Sequence, residues 1–302
     1  MNKRALKSDV YLLLTAAIWG FAFVAQRVGM VYVGPYIFNG VRFLLGALVL
    51  LPFAFRPARG VTPASFRTLA LTSLAAGIFL FLGSSLQQVG IVYTTAGKAG
   101  FITGLYVVLV PFLGIFFRHK IGLENWMGAF LAVIGLYFLS MPAGTFGLQK
   151  GDFYVFLSAF FWAAHVHTIG FLSPRMSAGK ISVLQYAMCS ALSFVVAFAI
   201  ETFTWQDILN AAIPILYGGL MSVGVAYSLQ VVGQKFAPPT HAAIILSLEA
   251  VFAVLGGWLL LAEALSMRGL FGCLLMLAGM VISQVGWRYN RKRVLERVRG
   301  NS

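Results

Sequence analysis

Apolar runs of about 20 residues, the length at which a helix crosses a bilayer, recur along the chain between short stretches of glycine, proline or charge. They predict ten helices, over 9–29, 36–55, 67–88, 95–117, 123–141, 152–172, 181–200, 210–233, 239–261 and 267–287. The first run follows Lys3, Arg4 and Lys7, as a signal peptide would. Phe23 interrupts the small-x-small pattern before Gln26, however, and nine more runs follow, so it reads as a retained helix.

The pattern also repeats itself. One constant offset carries Asp9, Tyr11, Leu14, Ala16 and Trp19 onto Asp152, Tyr154, Leu157, Ala159 and Trp162, and it carries Gln87 and Gly90 onto Gln230 and Gly233. A shift one position longer carries Gly128, Leu131 and Gly135 onto Gly272, Leu275 and Gly279. Apolar sequences match themselves often by chance, but paired Asp, Trp and Gln at one offset do not. The chain reads as an all-α membrane protein of ten transmembrane helices, with one five-helix repeat over 9–141, a second over 152–287 and a basic tail over 288–302. Five is odd, so the second half enters the membrane from the opposite side and the repeats are inverted. Two such halves can exchange conformations and expose one central site to each side in turn, which is how secondary transporters are built.

Composition narrows the classes. Apolar residues make up 60% of the chain and charged ones 10%, with a mean hydropathy of +0.89, against roughly 45–50% and about 25% in soluble domains. Soluble enzyme, disordered chain and secreted disulfide scaffold are excluded. Cys189 and Cys273 both fall inside apolar runs and read as packing thiols. The net charge of +14 lies between apolar runs, so no nucleic-acid partner is expected. Its distribution sets an orientation instead: with the N-terminus cytoplasmic, 17 of the 22 Lys and Arg fall on the cytoplasmic side, including Arg56, Arg118, Arg175, Lys180 and Arg288. Both termini are expected in the cytoplasm.

Particular strings carry a family resemblance. Trp19-Gly20-Phe21-Ala22-Phe23 resembles the tryptophan-glycine motif of the drug/metabolite transporter superfamily, in its EamA branch, and Arg42-Phe43-Leu44 resembles that family's arginine in the second helix. The stretch over 99–111 looks like its fourth helix, and Leu246-Ser247-Leu248-Glu249-Ala250-Val251-Phe252 like its ninth, with Ala250 where proline is common. His119 stands where the repeat of Glu263 would put an acid. The resemblance implies a ten-helix permease of the bacterial inner membrane, from a family whose members often export amino acids or other metabolites.

The polar residues inside the spans are the candidate site, because an intramembrane charge normally faces a cavity or a partner. Glu249 is the one carboxylate near the middle of a span. It is a candidate for proton coupling or for holding a substrate ammonium, with a structural hydrogen bond as the alternative. His241, Ile245 and Glu249 are spaced to share one helix face. Arg42 either clamps a substrate carboxylate or is locked to backbone carbonyls. Lys98 and His241 are related by the repeat offset and either gate a pathway or, for Lys98, snorkel to the interface. Arg27, at a span end, reads as an anchor. Trp19, Phe23, Trp162 and His165 complete the candidate substrate contacts, the tryptophans as cavity walls or as packing.

No cofactor or metal is expected. His165 and His167 lie about 200° apart around a helix, and Gly97-Lys98-Ala99 lacks the remaining residues of a phosphate-binding loop. A secondary transporter of a small metabolite, with the bilayer and protons as its other partners, is the leading expectation. A lipid-carrier flippase or an importer on the same fold is the alternative. An intramembrane enzyme is disfavoured by the single mid-span carboxylate, the absence of HExxH and the lack of a Gly-x-Ser-Gly around Ser222.

Overall fold

The computed structural model describes residues 3–55, 65–94, 96–116, 121–140, 150–261, 266–272, 274–279 and 281–282. The expectations for His119, Glu263, Cys273 and the basic tail lie outside these residues, as does the side chain of Lys98. The described chain is helical, with no strand among the described residues. In order the helices are α1 (Lys3–Gly29), α2 (Pro35–Ala54), α3 (Phe66–Tyr93), α4 (Ala96–Gly104), α5 (Tyr106–Phe116), α6 (Leu123–Ser140), α7 (Lys150–Leu172) and α8 (Ala178–Ile200). There follow α9 (Trp205–Asn210), α10 (Ala212–Leu216), a π-helical segment (Tyr217–Tyr227), α11 (Ser228–Gln234), α12 (Pro239–Leu246), α13 (Glu249–Leu261) and α14 (Met267–Gly279).

Among the described residues, eight stretches are long and apolar enough to cross a membrane: α1, α2, α3, Ala99–Phe116, α7, α8, Ala212–Gln234 and Pro239–Leu261. At the fifth and tenth predicted spans the apolar helices are shorter, Leu123–Gly135 and Met267–Gly279.

Three predicted spans are not the regular helices that their hydropathy suggested. The fourth breaks at Leu105, whose N–H bonds back only three residues to Ile102 O at 3.2 Å. The ninth breaks where Leu248 N–H bonds to Ile245 O, also at 3.2 Å. The repeat offset carries the first break onto the second, Leu105 onto Leu248 and Ile102 onto Ile245. Gly104, a weak helix former, precedes the first. At the second, Ser247 Oγ donates to Ile244 O at 2.9 Å and so competes with the backbone ladder. The eighth span widens into the π segment, whose carbonyls find side-chain donors: Thr15 Oγ1 reaches Ala226 O at 3.1 Å and Trp19 Nε1 reaches Ser222 O at 3.3 Å. A widened turn with a side chain bonded into its ladder is a recognised departure from α-geometry at functional positions.

Close helix contacts fall on small residues, as lipid-embedded packing requires. A Cβ on Gly135 would lie 2.5 Å from Gly272 O, and one on Gly279 would lie 2.6 Å from Gly128 O, so α6 and α14 meet through their two offset-related glycine pairs. α1 crosses α13 at Gly20, where a Cβ would overlap Phe252 Cβ and sit 2.7 Å from Glu249 O. Glycine after Trp19 therefore brings α1 against the backbone that carries Glu249. At the other end of α1, Arg27 does more than anchor: its Nη1 donates to Ile91 O at 2.8 Å and Val92 O at 3.1 Å, the terminal carbonyls of α3.

Candidate functional site

The helices converge on a central cavity lined by α1, α2, α3, α7, both halves of the two broken spans, and the π segment with α11. Trp19, Phe23, Arg42, Trp162 and Glu249, five residues singled out from sequence, are on its wall. Gln26, Gln87, Thr103, Tyr106, Val166, Ser222, Tyr227, Gln230 and Leu246 complete it. The wall thus draws on the first, second, third, fourth, sixth, eighth and ninth predicted spans.

Most of this wall comes in pairs related by the repeat offset: Trp19 with Trp162, Phe23 with Val166, Gln87 with Gln230, Thr103 with Leu246, and Tyr106 with Glu249. Tyr227 sits between the tryptophans, its ring centroid 4.5 Å from that of Trp19 and 6.1 Å from that of Trp162, the latter pair stacked.

Arg42 is 2% exposed yet has no carboxylate within ion-pair distance among the described residues. Its Nε donates to Asn39 Oδ1 at 2.9 Å, and its guanidinium lies over the rings of Phe43 (4.9 Å) and Phe38 (5.4 Å). The expected lock onto backbone carbonyls is not what holds it. Asparagine and two aromatic faces fix the group while leaving its terminal nitrogens without an acceptor among the described residues. Those nitrogens are the fork that suits a carboxylate or phosphate.

Glu249 opens α13, placing its carboxyl at the positive end of a half-helix inside the fold. Among the described residues its Oε1 accepts no hydrogen bond, and the Tyr106 hydroxyl stands beside the carboxyl without closing one of good geometry. Gln26 Oε1, Thr103 Oγ1, Trp162 Nε1 and Gln230 Oε1 are also buried without partners. Buried polar groups are normally satisfied, so this concentration around one cavity marks where a polar solute or water can bond. The free volume is about 30 Å³, room for water and not for an organic solute.

Two candidates from sequence lie elsewhere. His165 stands one layer behind the wall, its Nε2 2.8 Å from Gln185 Oε1 and its ring edge-on to Trp162 and Tyr227. His241 Nε2 is 2.9 Å from Asp9 Oδ1, tying α12 to the start of α1. The helical face expected to join His241 to Glu249 is interrupted, because the break at Ser247 and Leu248 intervenes between them. His167 Nε2 donates to Val110 O at 2.7 Å, so the two histidines of α7 serve different partners.

Sequence reasoning passed over Tyr106, Tyr227 and Thr103, and noticed Gln87 and Gln230 only as repeat markers. For Tyr106 a signal was present: it is the residue that the repeat offset pairs with Glu249. Tyr227 had none, since its entry into the cavity depends on the π segment.

Comparison with known proteins agrees with this architecture. An "Uncharacterized transporter" of Archaeoglobus fulgidus is 34% identical over 92% of this chain and 86% of its own length. A "Probable amino-acid metabolite efflux pump" of Salmonella typhimurium is 24% identical, covering 94% of this chain and 97% of that protein. A crystal structure 18% identical in sequence superposes with a TM-score of 0.73 over 93% of this chain and 98% of that one, which bears on the fold alone. Residues 6–141 and 149–284 each match the EamA-like transporter family, and with two matches spanning nearly the whole molecule the chain belongs to that family.

Proposed function

We propose that the protein exports an amino acid or a closely related small metabolite across the bacterial inner membrane by alternating access. In this reading ten spans form two inverted five-helix repeats, over 9–141 and 152–287, with both termini cytoplasmic. The observation that carries it is the pairing of Arg42 with Glu249 on one aromatic wall: two opposite charges, each without a counter-ion among the described residues, face the same cavity. A zwitterion satisfies both at once. Its carboxylate takes the guanidinium fork of Arg42, and its ammonium takes Glu249 beside Tyr106. The apolar remainder lies against Trp19, Trp162 and Tyr227, as pockets with few polar groups and aromatic walls receive amphipathic solutes.

Glu249 also suits proton coupling. A carboxyl that holds either a proton or an ammonium, never both, exchanges one for the other as the cavity changes sides. The paired lining supports alternating access, since exchanging the roles of the two halves leaves a tryptophan and a glutamine from each half on the wall, Trp19 with Trp162 and Gln87 with Gln230. The name of the Salmonella relative points to the same substrate class.

The test is purified protein in liposomes, screened for efflux and counterflow of amino acids, their amides and the corresponding carboxylic acids without the amine, with and without a pH gradient. The reading requires free amino acids to be carried in preference to both one-ended analogues. Equal transport of the amides would remove Arg42 from recognition, and equal transport of acids lacking the amine would remove Glu249.

A further inference from the structure

A second concavity lies on the outside of the helix bundle, between α3 and α8 at the ends where both helices begin. It encloses about 610 Å³ and is walled by Phe66, Leu69, Leu74, Leu184 and Met188, with Arg175 and Lys180 among its lining and no acidic residue among the described ones. We propose that this groove is a binding site for one anionic phospholipid, with acyl chain along α3 and α8 and headgroup phosphate on Arg175 and Lys180.

The shape argues for a lipid. The two helices touch at Gly77, where a Cβ would come within 2.7 Å of Met188, and the groove's lining runs from there to Phe66 and Lys180 in the first turns of both helices. The stretch of α3 from Phe66 to Gly77 is about 16 Å of helix at 1.5 Å per residue. One leaflet contributes about 15 Å of hydrocarbon. The groove is therefore closed near the bilayer centre and open at the headgroup level, and its length matches one acyl layer.

The charge argues for an anionic one. Arg175 does not sweep freely: Nη1 donates to Phe171 O at 2.6 Å and the guanidinium lies 3.9 Å from the centroid of the Phe171 ring. This holds the cation at the open end with N–H groups to spare. The Lys180 ammonium, exposed in the first turn of α8, has no partner among the described residues. Basic pockets between membrane helices on the cytoplasmic side recognise acidic headgroups in this way. Placing the site in the cytoplasmic leaflet rests on the positive-inside orientation, but the binding itself does not, so the two fail separately.

The experiment is native mass spectrometry of the delipidated full-length protein titrated with phosphatidylglycerol or phosphatidylcholine of identical acyl chains. Two basic groups near the headgroup favour the anionic lipid by about thirtyfold. Arg175→Gln with Lys180→Gln is expected to abolish that preference. Lys180→Gln alone, which breaks no side-chain contact within the described residues, is expected to lower it about fivefold and guards against misfolding as the cause. Leu184→Trp, which fills the groove and keeps both charges, is expected to weaken phosphatidylglycerol binding too. Millimolar inorganic phosphate is expected to leave the lipid bound. The assignment is overturned by equal binding of the two lipids to wild type, by an unchanged preference in the double variant, by full binding to Leu184→Trp, or by displacement with phosphate.

Discussion

Tyr106 and Glu249, equivalent positions in the two repeats, are each the first residue of the second half of a broken helix, and their side chains meet in the central cavity. Duplication has placed a neutral hydroxyl at one position and an acid at its equivalent. If the acid carries the exchanged proton, Glu249→Gln preserves shape and most hydrogen bonding but cannot titrate. Counterflow of labelled against unlabelled substrate is expected to survive in this variant, while accumulation driven by a pH gradient disappears. Persistence of pH-driven accumulation would leave facilitated diffusion as the better description, since no other mid-span carboxylate is available.

Tyr106→Phe removes only the hydroxyl. A hydrogen bond to a charged group contributes about 1.5–3 kcal/mol, so KM for a zwitterionic substrate is expected to rise about tenfold to a hundredfold with little change in maximal rate. An unaltered KM would reduce Tyr106 to a packing residue.

Arg42→Lys keeps the charge but loses the planar fork and the stacking on Phe38 and Phe43. Loss of bidentate geometry is expected to weaken carboxylate-bearing substrates at least about tenfold, because lysine presents a point charge. Amides of the same amino acids, which make no use of the fork, are expected to change little. A uniform loss across acids and amides would mark Arg42 as structural.

The periodicity of apolar runs was enough to locate the eight long apolar stretches among the described residues, and the paired Asp, Trp and Gln revealed the internal repeat. What it could not show is where those helices lose regularity. The breaks at Leu105 and Leu248 lie within long, mainly apolar runs, and they depend on two tightened hydrogen bonds in each case, Leu105 to Ile102 with Val108 to Leu105, and Leu248 to Ile245 with Ala250 to Ser247. The π segment depends on Thr15 and Trp19, far away in the chain, reaching carbonyls it frees. His241 illustrates the cost: its spacing to Glu249 fits one helix face, yet the intervening break sends it to Asp9 instead. Trp19, Arg42 and Glu249 were legible because a large or charged side chain in an apolar run demands a reason, whereas the tyrosines and Thr103 looked like ordinary packing.

At Gly20 the prediction is about packing. Because a Cβ there overlaps Phe252, Gly20→Val forces α1 and α13 apart, and overpacking of this kind costs about 1–3 kcal/mol. The melting temperature in detergent is expected to fall, and transport to fall further than stability does, since the same contact sets the position of Glu249. Substitution of Gly97, where an added Cβ meets nothing closer than 4.0 Å, is the matched control and is expected to be tolerated.

Outside the spans, Asp207 gives a pH dependence with a definite sign. Its carboxylate accepts from Thr204 N–H at 2.7 Å and from Thr204 Oγ1 at 2.8 Å, closing the capping box at the start of α9, and these bonds hold its pKa below the ordinary 3.8. A depressed folded pKa means that the cap stabilises α9 above the unfolded value and is lost as pH falls through the folded one. Titration of the Asp207 carboxyl by NMR is expected to show this depression in wild type. Thr204→Val, which deletes the hydroxyl and keeps the N–H, is expected to move it part of the way back toward 3.8, and an unmoved titration would assign the shift to the backbone N–H of residue 204 alone.

Orientation can be read at two apolar side chains that reach well beyond the fold, Val31 between α1 and α2 at 77% exposure and Phe66 at the start of α3 at 87%. α2 lies between them in the chain and crosses once, so they lie on opposite faces of the membrane. The proposed orientation puts Phe66 on the cytoplasmic side, next to Arg67 and near the turn that carries Arg175. A membrane-impermeant maleimide added to intact cells is therefore expected to label Val31→Cys and to spare Phe66→Cys until the membrane is permeabilised. Labelling of the second and protection of the first would invert the molecule. The basic residues now assigned to the cytoplasm would then face outward, against the strongest topological bias that charge imposes on membrane insertion.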